Sequence, residues 1–316
     1  MSTPLPVTVV TGFLGAGKTT LVNGWLAGAP RGDVAVIVNE LGRVGIDGEL
    51  LAARARTIIE ISGGCVCCTT QAELVRALDE LANLPTAPKR VLVETSGAAS
   101  PAGVLRAISS GGRDDAFALD GVITVVDATR VDALRKHDLG LEQIGYADVV
   151  VLSRADACND EVVAHATDVV ALYNGAAVVV LAARGVLPAA QTLDDLLAMR
   201  RSDLAAPREL PVQTAHVYES VSLSIAGEVD GDRFAEFVES ELAPFAGRLL
   251  RTKGILAVSG LDERMILQGV ADSIEISFGE PWAQTPRHSR LVIVGFALDR
   301  VALTRGFATC ARDASS

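Results

Sequence analysis

The chain has 316 residues, 49% apolar but only 4% aromatic, so its cores must be built from Val, Leu, Ile and Ala, and its length predicts two domains or one with a substantial extension. A net charge of −11, with no Lys/Arg run longer than Arg200-Arg201, leaves no basic footprint for nucleic acid. No apolar run approaches the ~18 residues of a membrane helix, and the opening MSTPLPVTVV lacks the regions of a signal peptide, which predicts a soluble, cytoplasmic protein with no membrane partner.

The first aliphatic run, Val7–Val10, leads into Gly12-Phe13-Leu14-Gly15-Ala16-Gly17-Lys18-Thr19 and then a helical pattern over Leu21–Leu26. This is G-x-x-x-x-G-K-[ST] between strand and helix, where it binds phosphate. Gly12, Gly15 and Gly17 let backbone N–H groups curl around phosphate oxygens, with Ala16 and Thr20 completing the nucleotide-binding set. Lys18 puts its charge on the β and γ phosphates, and Thr19 offers a hydroxyl to Mg²⁺. The helix N-terminus adds free donors and a favourable dipole.

The next runs are Val34–Val38, which ends beside Asn39 and Glu40, and Ile58–Ile61, which precedes "SGGCVCCTT". Cys65, Cys67 and Cys68 are three of only five cysteines, placed before a helical pattern over Gln71–Leu84. Inert buried thiols, a redox pair (Cys65 and Cys68 form C-x-x-C) and a metal site are the readings open here. Thiol density in a reducing compartment favours metal. Three thiolates suit Zn²⁺ or another soft-to-borderline ion and leave a position open for transfer, to which Glu40 could add a fourth ligand.

Val91–Val93 is followed by "ETSG". Glu94 sits where a carboxylate reaches the Mg²⁺ shell, and Gly97 could meet the γ phosphate through its N–H. Val122–Val126 and Val149–Leu152 follow, the latter leading to Ser153-Arg154-Ala155-Asp156. Many GTPases have Asn-Lys-x-Asp there. Asp156 keeps the acceptor for guanine N1–H and the 2-amine, whereas Ser153 and Arg154 depart from the pattern. Guanine is favoured over adenine.

Val178–Leu181 closes a rhythm of buried runs and helical stretches that predicts a doubly wound parallel α/β domain over 1–200. "RRSDLAAPRELP" reads as a linker. Residues 212–316 change pattern, with a strand over Val217–Ile225, a helix over Asp232–Leu242, several strands and a last helix from Asp299. This predicts a smaller α+β domain. His137, His165 and His288 lack i+3 or i+4 partners and read as surface residues. Cys158 and Cys310 read as structural.

"TGFLGAGKTTLVN", "VIVNELGRVGIDGELL", "SGGCVCCTT", "VLVETSGAASPAGV" and "LDGVITVVDA" resemble the CobW-like family of P-loop GTPases, relatives of the HypB and UreG metallochaperones. "RTKGIL", "QGV", "PW" and "SRLVIVGFALDR" extend the resemblance to nearly the whole chain. It implies binding of GTP and GDP with Mg²⁺, and GTP hydrolysis coupled to delivery of zinc or cobalt through C-x-C-C to a client metalloprotein. Lys18, Thr19 and Glu94 are the catalytic candidates it implies, and a homo-oligomer is compatible with it. Asn39–Gly48 is the candidate switch. Two departures stand out: the histidine-rich tract of many members is represented only by His216, and Arg43 replaces a common acidic residue. The competing reading is a P-loop ATPase, kinase or nucleotide-gated binding module whose cysteines do redox work or hold a structural zinc.

Overall fold

The computed structural model describes residues 4–28, 30, 33–40, 58–62, 69–109, 116–184, 186–187, 192–193, 195–197, 218–270 and 273–312. The chain divides into two compact units, Met1–Val170 with Ala177–Ser202, and Ala171–Ala176 with Asp203–Ser316.

In the first unit, seven strands form a sheet in the order β3-β2-β4-β1-β5-β6-β7. They are β1 (Leu5–Thr11), β2 (Val34–Glu40), β3 (Ile58–Ser62), β4 (Arg90–Thr95), β5 (Phe117–Asp127), β6 (Val149–Ser153) and β7 (Val178–Leu181). Every pairing is parallel. Val7, Val9 and Val10 are all buried, as are Val149 to Leu152, so successive side chains meet apolar surroundings on both faces. That double burial is why the strands read as unbroken Val/Ile/Leu runs rather than alternating ones.

Parallel strands need crossovers, supplied by α1 (Lys18–Gly28), α2 (Thr69–Ala82), α3 (Ala102–Ser109), α4 (Val131–Leu134), α5 (Asp138–Gly145) and α6 (Asp160–Tyr173). In α2, Leu74, Leu78 and Leu81 are buried on one face. The helix stops at Ala82, two residues before the expected Leu84, and the Asn83 side chain donates to the Asp79 carbonyl at 2.7 Å. An amide that satisfies a terminal carbonyl competes with another helical turn. β5 starts five residues before the apolar run because Phe117 and Ala118 pair with Leu5 and Pro6. One core cluster packs Leu21 and Val22 of α1 against Val10, Leu92, Val125 and Val151 of the sheet.

The sheet order decides where chemistry can occur. β1 lies between β4 and β5, so the chain leaves β1 toward one flank and later returns on the other. Such a switch point opens a crevice at the strands' carboxyl ends. Thr11, Glu40, Ser62, Thr95, Asp127, Ser153 and Leu181 all end strands on this edge.

The second unit holds an antiparallel sheet in the order β11-β10-β9-β12-β8. Its strands are β8 (Tyr218–Ile225), β9 (Leu249–Leu256), β10 (Glu263–Val270), β11 (Ser273–Pro281) and β12 (Ser289–Phe296). Two helices, α7 (Gly231–Phe237) and α8 (Arg300–Thr309), supply Phe234, Phe237 and Phe307 to its core. The rings meet at centroid distances of 5.7–6.4 Å. The helix expected over Asp232–Leu242 is α-helical only to Phe237 and continues as a π-helical turn over Val238–Leu242. Asp299, expected to open the last helix, caps it instead and accepts from Ala302 N at 2.9 Å. A short carboxylate favours this cap over the helix interior. Among the described residues, no helix is long and apolar enough to cross a membrane.

Candidate functional site

The loop after β1 turns on three glycines with positive φ: Gly12 at 139°, Gly15 at 73° and Gly17 at 100°. At Gly12 a Cβ would also run into the Val125 backbone, so both conformation and space require glycine. Lys18 opens α1 and is largely buried. Its Nζ donates to the carbonyl oxygens of Gly12 at 3.0 Å and Phe13 at 3.4 Å, which holds the positive charge inside the curl of the loop.

β4 brings a carboxylate to the same place. Val10 pairs with Glu94 across the two strands, and Thr19 Oγ1 donates to Glu94 Oε1 at 2.6 Å. Glu94 is only 5% exposed. A hydroxyl and a buried carboxylate beside a phosphate loop form a hard-oxygen donor set, which fits Mg²⁺. Gly97 follows so closely that a Cβ there would lie 2.7 Å from Leu14 N and 2.9 Å from Lys18 Nζ. The turn after β4 therefore rests directly on the phosphate loop. Thr95 Oγ1 donates to Thr11 Oγ1 at 2.8 Å and joins the two strand ends. Farther along, Ser100 Oγ donates to Glu142 Oε1 at 2.6 Å, and Gln143 Nε2 donates to Ala99 O at 3.3 Å. These bonds tie the post-Glu94 loop to α5.

β6 delivers the third group. Ser153 Oγ donates to Ala16 O at 2.7 Å, so the residue that replaces asparagine still fastens β6 to the phosphate loop. Arg154 has φ of 56°. One guanidinium nitrogen donates to Asp127 Oδ2 at 2.6 Å and the other to Gly15 O at 3.2 Å. Asp156 lies in the following 3₁₀ turn, with its carboxylate 3.6 Å from Arg184 Nε. Ala16, Gly17, Thr20, Ser153, Arg154 and Arg184 line a cavity of about 130 Å³ whose walls also include Leu21, Val125 and Val151. A polar rim over an apolar floor, beside the phosphate loop, suits a planar heterocycle.

The structure thus gathers Gly12, Gly15, Ala16, Gly17, Lys18, Thr19, Thr20, Glu94, Gly97, Ser153, Arg154 and Asp156 on one sheet edge. Cys65, Cys67 and Cys68 lie outside the described residues, as does 41–48 of the candidate switch. Glu40 is described only as the last residue of β2, where it pairs with Ser62, the last of β3. Among the described residues, no group of three or more His, Cys, Asp or Glu side chains is arranged to hold a metal ion.

Three side chains at this site escape the sequence reading. Asp127 ends β5 as Glu94 nearly ends β4, so the rule that picks out polar residues at strand ends would have found it. Arg184 lies three residues beyond β7 with no motif to mark it. His137 is exposed, as expected, but its ring stacks on Phe13 of the phosphate loop at 5.2 Å.

The phosphate loop, the buried carboxylate and the switch-point crevice define a P-loop nucleotide-binding protein. The model described as "CobW/HypB/UreG, nucleotide-binding domain" matches residues 6–180, and the cobalamin synthesis protein cobW C-terminal domain matches 218–311. The chain belongs to the CobW family of P-loop GTPases. It is 34% identical to the zinc chaperone CobW of Pseudomonas aeruginosa, covering 96% of this chain and 91% of that one. It is 31% identical to the zinc chaperone YjiA of Escherichia coli, covering 96% and 98%. Its fold matches the crystal structure of Zn(II)-bound YjiA GTPase from E. coli with a TM-score of 0.73 at 25% identity, over 98% and 100% of the two chains.

Proposed function

We propose that the protein is a Mg²⁺-dependent GTPase that acts as a metal chaperone, with zinc as the favoured cargo and Cys65, Cys67 and Cys68 as its ligands. The observation that carries the catalytic half is the set of contacts by which Glu94 and Gly97, from β4 and the turn after it, meet Thr19 and Lys18 at the start of α1. Thr19 and Glu94 would hold Mg²⁺, which supplies charge neutralisation to the β and γ phosphates. Lys18 would add a second positive charge for the phosphates, and the Gly97 N–H would be a donor for the terminal phosphate. Asp156, in the turn after Arg154, would read the guanine edge.

The cargo half rests on topology and on the relatives. β3 reaches the carboxyl edge at Ser62, three residues before Cys65. β3 and β1 are separated by β2 and β4, or roughly 14 Å at the usual strand spacing. Any signal from the phosphates to the thiols must therefore cross the ends of β4 and β2, where Glu94–Gly97 and Asn39–Gly48 begin. Relatives named zinc chaperones favour zinc over cobalt. Glu40 is a candidate fourth ligand, a client metalloprotein is the recipient, and the reducing cytoplasm keeps the thiols competent.

The test is GTP turnover with Mg²⁺ in the parent and in Lys18→Ala. Removing the ammonium leaves triphosphate charge uncompensated, so turnover should fall by about 10²-fold or more. Parental turnover in a purified Lys18→Ala protein would remove the hydrolytic assignment.

A further inference from the structure

Two backbone carbonyls of the phosphate loop are fastened to the loop after β6: Ala16 O by Ser153 and Gly15 O by Arg154. The Ser153 bond is short and buried. The Arg154 bond depends on a long side chain that is half exposed. Its backbone is also left-handed, a strained conformation for an L-residue. Something must hold that side chain in place. Asp127 does so from below, with its carboxylate only 8% exposed. One oxygen, Oδ1, accepts from Thr129 N at 3.0 Å and Thr129 Oγ1 at 2.6 Å, which fixes the carboxylate plane. The other, Oδ2, accepts from Arg154 at 2.6 Å. Arg130 Nε stands 3.9 Å from Oδ2 as a second, weaker cation.

We propose that Asp127 is a positioning residue of the nucleobase site: it anchors the Arg154 guanidinium so that the phosphate loop and the Ser153–Asp156 loop are set as one unit. The inference rests on reading Ser153–Asp156 as the base-recognition loop. Its physical content is the division of labour within one buried carboxylate. Oδ1 belongs to the turn it caps, and Oδ2 belongs to Arg154. The guanidinium fork spans Oδ2 and the Gly15 carbonyl at once, which a single freely rotating donor would not fix as well. When the anchor is lost, Arg154 returns to solvent, Gly15 loses its tether, and the part of the cavity wall formed by Arg154 moves independently of the phosphate loop.

The experiment is a double-mutant cycle on the full chain, read by equilibrium binding of GDP and ADP and by steady-state GTP turnover. Asp127→Asn keeps an oxygen to cap Thr129, so thermal unfolding should change little. The charge-assisted bond is lost, and GDP affinity should fall roughly three- to tenfold, as expected for a partly exposed charged hydrogen bond. KM for GTP should rise in step, kcat should stay within about twofold, and the ratio of GDP to ADP affinity should narrow. Arg154→Ala should reproduce the loss, and Arg154→Lys should recover part of it. The double variant Asp127→Asn/Arg154→Ala should be no weaker than Arg154→Ala alone, because the two groups act through one contact. Losses that multiply in the double variant, or parental GDP affinity in Asp127→Asn, would overturn the inference while leaving guanine recognition by Asp156 standing. If Asp156→Asn leaves the GDP-to-ADP ratio unchanged in the same assay, the base-loop reading fails and the inference falls with it.

Discussion

The Asp156 carboxylate lies 3.6 Å from Nε of Arg184, a residue that lines the cavity, and the arginine side chain is almost wholly exposed. Such a pair is worth little in water, so it orients the carboxylate without blocking it. Asp156→Asn replaces an acceptor by a donor toward guanine N1–H and its 2-amine. Guanine nucleotide affinity should fall by about tenfold or more, and xanthine nucleotides, which present an acceptor at that edge, should lose less. Competition of GDP and XDP for the same fluorescent nucleotide measures both. Another residue-scale property bears on the cysteines. Burial pushes the Cys310 thiol up to about 11, so it stays protonated and slow to react at neutral pH. Cys158 is half-buried after the Asp156 turn and is the more accessible of these two. A thiol-labelling count on the native protein should therefore omit Cys310 and recover it only on unfolding.

At the scale of elements, the turn after β4 has no room for an added side-chain atom. A methyl group at Gly97 would meet the Leu14 backbone at 2.7 Å and the Lys18 ammonium at 2.9 Å. Backbone cannot yield as a flexible side chain does, so Gly97→Ala should cost about 1–3 kcal/mol at the phosphate loop. A tenfold or larger loss of kcat/KM with the sheet intact by circular dichroism is the expected result. The same turn shows why much of the site was legible beforehand. The phosphate loop and Glu94–Gly97 announce themselves because phosphate binding demands glycines and a lysine at fixed spacing behind a buried strand. Asp127 is marked only as a polar residue at a strand end, and nothing in the spacing ties it to Arg154, 27 residues on. Ser153 illustrates the opposite case. Its type breaks the usual pattern, yet a 2.7 Å bond to Ala16 keeps the tether. The helix ends were misplaced for a local reason: Asn83 and Asp299 satisfy terminal backbone groups, and apolar periodicity does not register such caps.

At the scale of the whole molecule, each unit carries its own core, one built on aliphatic strands and the other including three phenylalanines in tilted and edge-to-face contact. The second unit is also pinned by charge. Glu228 receives Arg312 at 2.5 Å and Arg287 at 2.7 Å, and the Arg312 hydrogen bond, followed by the charge of Arg287, holds its carboxyl below the usual range. A lowered folded-state pKa stabilises the fold above the unfolded value of about 4.3 and is lost as pH falls through the folded value. Arg312→Gln should therefore be less stable than the parent by about 0.5–1 kcal/mol at pH 7. That gap should shrink as urea titrations are repeated below about pH 4. In the first unit, nucleotide and cysteines are proposed to share one sheet edge. If the γ phosphate biases the thiol loop, linkage makes the effect reciprocal, and a coupling of ~1–3 kcal/mol would be typical. The most direct measurement is a Zn²⁺ affinity titration of the reduced protein with Mg²⁺ and either GDP or a non-hydrolysable GTP analogue, using a competing chelator. The account predicts affinities that differ by ~5–150-fold between the two nucleotide states, and loss of the high-affinity site in Cys65→Ser/Cys67→Ser/Cys68→Ser with most nucleotide binding retained. Equal Zn²⁺ affinities in both states, or a high-affinity site that survives the triple substitution, would contradict it.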